Sequence, residues 1–167
     1  MYKWFCLCFL LISSTVLASP IRDLSKVGTG EMSYLFWTIY EAEYYSGQHA
    51  ITGEPDKNRQ ALKIEYLKSI ESKALIQATI EQWQHLNYDA NDIEQWAASL
   101  ENLWPNVEPG NTLTLLLEED GRSEFYFNNE LIGTIRSESF GTAFLSIWLS
   151  EKTSEPELRR QLLGLNR

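Results

Sequence analysis

Cysteine is confined to the first eight residues of this 167-residue chain, at Cys6 and Cys8. The stretch around them reads as a segment that is removed. Lys3 supplies a positive start, Trp4 to Ile12 is an unbroken apolar run, a looser run continues to Leu17, and Val16-Leu17-Ala18 puts small or aliphatic residues at a peptidase site. Charged start, apolar middle and small-residue site in that order predict a signal peptide, residues 1–18. Cleavage is expected after Ala18, because a cut one residue later would leave Pro20 first. The apolar run is shorter than the roughly 20 residues that an uncleaved span would need. The mature chain, residues 19–167, then has no cysteine, which excludes disulfides, a thiolate nucleophile and cysteine-ligated metal. No cysteine stands at the junction to carry a lipid. A domain of about 149 residues needs no such staple, since it buries about 68–70% of its unfolded surface.

Positive charge is also scarce. The chain has 14 Lys and Arg against 23 Asp and Glu, a net charge of −9, and loss of Lys3 takes it to −10. Such a chain repels phosphate backbones, so nucleic acid is not an expected partner; the acidity reads as solubility. Signatures of hydrolytic chemistry are missing: there is no G-x-S-x-G and no H-E-x-x-H. The two histidines, His49 in a loop sequence and His85 on the polar side of a helix pattern, read as surface groups. Val27-Gly28-Thr29-Gly30 lacks the third glycine and the helix of a nucleotide loop, and reads as entry to a strand. Glu118, Glu119 and Asp120 surround a turn at Gly121 whose spacing fits no EF-hand loop, so a solvated turn is expected. No cofactor and no metal are implied.

Neither repeats nor low-complexity segments occur, and the linker-like Thr52 to Asn58 is short enough for a loop within one domain. Gly28 to Tyr45 alternates apolar residues on both sides, which predicts a strand buried on both faces, with Glu41 to Tyr45 extending it or beginning its partner. Ala61 to Leu67 sets Leu62, Ile64 and Tyr66 against Lys63 and Glu65, a strand with one wet face. From Ser72 the spacing of Leu75, Ile76, Thr79, Ile80, Trp83 and Leu86 predicts a helix. A second follows, with Asn91 and Glu94 as its capping box and Pro105 as its stop. Thr112 to Leu117, Ser123 to Phe127 and Leu131 to Ile135 predict a meander turning at Gly121 and at Asn128-Asn129, since asparagine tolerates positive φ. Ser139 to Leu149 contains no charge, so a helix buried against the sheet is expected. A last helix is expected to begin at Ser154, with Glu157 completing its cap, and to end at Gly164. Strands, two helices, a meander and two helices make an α+β fold: an antiparallel sheet with helices packed on one face.

Several stretches in this order resemble one family. They are Val27-Gly-Thr-Gly30 followed by Leu35-Phe-Trp-Thr-Ile-Tyr40, Leu62-Lys-Ile-Glu-Tyr-Leu67, Trp104-Pro-Asn-Val-Glu-Pro-Gly110, Phe125 to Ile135, Phe140 to Leu149 and Leu158-Arg-Arg-Gln-Leu-Leu-Gly164. Together, over about residues 24 to 165, they are similar to the exported bacterial branch of the chalcone isomerase-like family. The resemblance implies an open-faced β-sandwich, a curved antiparallel sheet with helices layered on one face. It also implies a choice of functions: chalcone cyclisation in the plant enzymes, fatty-acid binding in related plant proteins, and no established activity in many bacterial members. The ligand-binding relatives hold an anionic oxygen with an arginine early in the strand after the glycine pair. This chain has Glu31, Met32 and Ser33 there. Tyr40 falls at or near a threonine of the isomerase, and Glu71 to Leu75 has no tyrosine where the isomerase has one.

The expected function is therefore that of an exported, periplasmic, non-catalytic domain that binds a fatty acid or other apolar small molecule. An aromatic set could line the pocket, with a tyrosine hydroxyl as its polar handle: Trp37, Tyr40, Tyr66, Tyr126, Phe144 and Trp148. The same residues could instead be plain core. Two alternatives stay open: an isomerase or lyase with Tyr40 as proton donor, and a cell-envelope scaffold that meets a protein partner.

Overall fold

The computed structural model describes residues 19–47 and 59–165. The expected signal peptide, the Thr52 to Asn58 loop and His49 lie outside the described residues. Six strands follow one another as β1 (Ser25–Tyr34), β2 (Trp37–Ser46), β3 (Gln60–Tyr66), β4 (Thr112–Leu117), β5 (Ser123–Phe127) and β6 (Glu130–Ile135). The helices are α1 (Ser72–His85) and α2 (Ala90–Glu101) between β3 and β4, then α3 (Phe140–Leu149) and α4 (Pro156–Leu162). The strands form one antiparallel sheet in chain order.

Side-chain alternation gives the sheet two unlike faces. Leu62, Ile64 and Tyr66 of β3, Leu113 and Leu115 of β4 and Phe125 of β5 point into the main core with the apolar sides of all four helices. The opposite face is polar at its centre, where Glu43 pairs with Lys63 and Glu41 lies across from Glu65. Ala61 and Leu116 are buried there under Ile21 and Leu24 of the N-terminal turn, and Thr114 is buried beside them. The expected helices-on-one-face architecture is what the chain adopts.

Asn128 and Asn129 take φ of 49° and 69°, the left-handed pair that matches a two-residue hairpin turn. Asn128 also reaches back to the start of β4: its amide donates to the Thr112 carbonyl at 2.9 Å, and its Oδ1 accepts from the Thr112 amide at 2.9 Å. A turn residue thus doubles as a clasp across three strands. The first hairpin breaks the sequence expectation. Gly28 to Tyr45 is not one strand buried on both faces, because it folds back at Leu35-Phe36, where Leu35 has φ 57°. Tyr34, Leu35, Phe36 and Trp37 are 67%, 76%, 97% and 62% exposed. Their apolar alternation runs past the end of the helical layer, and no glycine, asparagine or proline marks the turn.

Two caps also differ. Asp89, not Asn91, caps α2, its carboxylate accepting from the Asn91 amide at 2.8 Å. α4 starts at Pro156, whose missing N–H is no loss in a first helical turn. Ser154, the expected cap, instead donates to Gln82 Oε1 at 2.7 Å. Gly164 ends α4 at φ 66°.

The uncharged α3 is enclosed as its composition requires, with seven of its ten residues buried. Trp83 of α1 donates its indole N–H to the Ala143 carbonyl at 3.0 Å, and its ring meets Phe140 and Phe144 edge-on. Phe144 also packs on Phe125 of the sheet at 5.6 Å between centroids. On the far side, α4 lies so close to β1 that a Cβ on Gly28 would stand 2.2 Å from the Gln161 carbonyl oxygen and 2.4 Å from that of Leu162. These are backbone atoms and cannot rotate away. Gly28→Ala should therefore lift α4 from the sheet and cost about 1–3 kcal/mol, the usual price of overpacking, as a lowered urea midpoint.

Candidate functional site

The aromatic cluster fills the middle of the core but not its β1–β3 end. There the sheet, α1 and the C-terminal half of α3 leave a partly open cavity of about 250 Å³. Its floor comes from Met32, Ile39 and Tyr40 of the first hairpin and from Ile64 and Tyr66 of β3. Phe144, Ile147 and Trp148 of α3 form one wall, and Leu75 and Thr79 of α1 another. Ala74 and Ala78, both exposed, flank the mouth with Gln82, Ser154 and Glu155. The lining is almost wholly apolar, with Glu155 its single charged residue and no lysine or arginine among the described residues.

Tyr40 accepts a hydrogen bond from Trp148 Nε1 at 2.8 Å, tying β2 to α3 across the cavity. The phenol's own proton has no acceptor among the described residues. Burial pushes the Tyr40 hydroxyl up to about 12, against a smaller downward pull from the Trp148 bond. Tyr66 packs edge-on against Tyr40 at 6.1 Å between centroids, and its hydroxyl makes no hydrogen bond to any described residue. Burial raises its phenol further still. Trp104 Nε1, on a ring that also borders the cavity, is buried without a partner among the described residues. The Tyr40 and Tyr66 phenols therefore stay neutral at physiological pH, as weak donors in an apolar site.

Of the six aromatic residues singled out in the sequence, Tyr40, Tyr66, Phe144 and Trp148 line this cavity together. Trp37 does not; it stands at the exposed hairpin tip with the Lys68 ammonium 4.6 Å above its ring. Tyr126 does not either. It belongs to the opposite sheet face, where burial and then its 2.6 Å bond to Glu124 push its phenol up to about 12. The aliphatic wall from Met32, Ile39 and Leu75 was not singled out, because such residues carry no signal that separates a pocket from a core. Glu118, expected in a solvated turn, grips Arg59 with both carboxylate oxygens, at 2.7 and 3.1 Å. His85 is exposed and bonds the Lys152 carbonyl at 2.9 Å.

The model of the family described as chalcone isomerase-like matches residues 22–164. The chain belongs to that family. Among solved structures, the crystal structure of a fatty-acid binding protein of Arabidopsis thaliana has a TM-score of 0.65 to it. The match covers 89% of this chain and 90% of that one at 13% sequence identity, so what the likeness shows is the fold. A search of curated proteins found no match. For this chalcone isomerase-like chain, no helix among the described residues is long and apolar enough to cross a membrane.

A Tyr40→Phe substitution would orphan the Trp148 N–H and should cost about 1–3 kcal/mol in urea unfolding. The sign with pH follows from the raised phenol. Its contribution is complete below its ordinary value of 10.0 and is lost as pH rises through about 12. The wild type should thus lose more stability than Tyr40→Phe across that window.

Proposed function

We propose that this protein binds an apolar small molecule, a fatty acid or a neutral relative of one, in the cavity between its sheet and α3, and does so without catalysis. The observation that carries this reading is the lining: an apolar chamber with two neutral phenols and, among the described residues, no cation. Apolar walls with a few convergent polar groups are the usual form of a small-molecule site. The volume exceeds that of apolar cavities of about 150 Å³ that already take benzene. The fold shared with the plant fatty-acid binding protein supports the same assignment.

The lining also selects the ligand's polar end. Among the described residues an ionised carboxylate here would meet no lysine or arginine and would face Glu155, and an unpaired buried charge is expensive. An uncharged oxygen, in an alcohol, ester or protonated acid, would instead accept from Tyr66 or Tyr40. The isomerase alternative fits less well. Tyr40 is held neutral by burial, and its hydroxyl is bonded among the described residues by the Trp148 N–H, a donor that cannot take up its proton. Export completes the proposal, resting on the order of Lys3, the apolar run and Ala18; a mature N-terminus at Ser19 would support it, and an intact Met1 would oppose it.

The test is native mass spectrometry of residues 19–167 after mild extraction, followed by displacement of an apolar fluorophore by dodecanol and by dodecanoate at neutral pH. A bound apolar molecule and at least about tenfold tighter dodecanol are expected, a difference of about 1.4 kcal/mol. Ala78→Trp, on an exposed helix position at the mouth, should weaken binding with a stability change within about 0.5 kcal/mol. A clean apo mass with no displacement by either compound would sink the reading.

A further inference from the structure

The first hairpin ends in a feature that the cavity does not use. From Met32 to Tyr40 it carries no charge, and its last four side chains, Tyr34, Leu35, Phe36 and Trp37, stand in solvent. Leu35 holds a positive φ at the turn, so the tip places its largest side chains outward through a conformation that branched residues rarely take. The cation at this end, Lys68, lies over the Trp37 ring. Further down, Glu31 and Glu41 face each other across the two strands. At about 3.4 Å per residue, this carboxylate collar sits about 14 Å below the tip.

We infer that the Tyr34–Trp37 tip is a membrane-docking wedge that inserts into the interfacial layer of a lipid bilayer. Each part has the chemistry of its depth. Leu35 and Phe36 would reach the acyl boundary, which monotopic elements enter by about 5–10 Å. Tyr34 and Trp37, apolar rings with a polar edge, suit the headgroup level. Lys68, on a flexible stem beside Trp37, is placed to meet lipid phosphate. The Glu31–Glu41 collar stays in water and limits the depth. A protein partner fits less well, because four side chains on a protruding turn fall far short of the roughly 1,000 Å² of a stable interface. The surface chosen is zwitterionic: with a net charge of −9 and carboxylates behind the tip, anionic lipid would repel the body of the protein. The inference does not depend on what occupies the cavity, although Met32, Ile39 and Tyr40 put the cavity floor on the same two strands.

The experiment is sedimentation of residues 19–167, which contain the whole described core, with phosphatidylcholine vesicles. The double variant Phe36→Ser/Trp37→Ser and the control Leu131→Ser, an exposed leucine on β6, are run beside it. All three should share one far-ultraviolet spectrum, since every changed side chain is exposed. Wild type and Leu131→Ser are expected to bind, the double variant to partition about tenfold less or worse, and added phosphatidylglycerol to weaken binding. Three results would overturn the inference: no binding of the wild type, equal loss in both variants, or tip-dependent capture of a protein with no affinity for vesicles.

Discussion

Everything in this fold waits on the seating of one uncharged helix. α3 has no polar face to give to water, so it must be covered, and the cover is Trp83. That indole does two jobs. It satisfies the Ala143 carbonyl, and its ring fixes the height of α1 above Phe140 and Phe144. Burying an aromatic side chain contributes about 1.5–3 kcal/mol, and this group shares rings from α1, α2, α3 and the sheet. Once α3 is held there, its first half is packed solid against Phe125. Its second half, Ile147 and Trp148, is carried past the dense part of the core. The cavity is the space that remains.

That division explains what could be read in the sequence. Period-two patterns with charged partners, as in Leu62 to Lys63, gave the right strands and the right inner face, because a slip of one residue would bury a charge. The uncharged Phe140 to Leu149 was legible as a buried helix for the same reason. The Asn128-Asn129 turn was legible too, though not the clasp to Thr112, which depends on a strand sixteen residues away. The first hairpin was misread for a physical reason. Apolar alternation reports that side chains avoid charge, not that anything covers them, and Leu35 makes a turn without a turn residue.

The candidate site was half legible. Tyr40, Tyr66, Phe144 and Trp148 share one chamber because inward positions on β2 and β3 meet one side of α3. Trp37 and Tyr126 fell away for opposite reasons. Trp37 is on the right hairpin but beyond the helical layer, and Tyr126 is one step out of phase with Phe125 and so faces the other side of the sheet. An aromatic residue shows its face through its neighbours' phase, and its enclosure only through elements distant in sequence.

The contact of α4 with Gly28 joins the two ends of the described chain. It bears on how the protein is made. β1 leaves the ribosome early, but the helix that covers its inner side is encoded more than a hundred residues later. Until that helix emerges, the first hairpin has a sheet partner and no roof, with an apolar inner side and an apolar tip open together. Exposed apolar surface of that kind is prone to aggregate, and the last helix is the element that removes it from water.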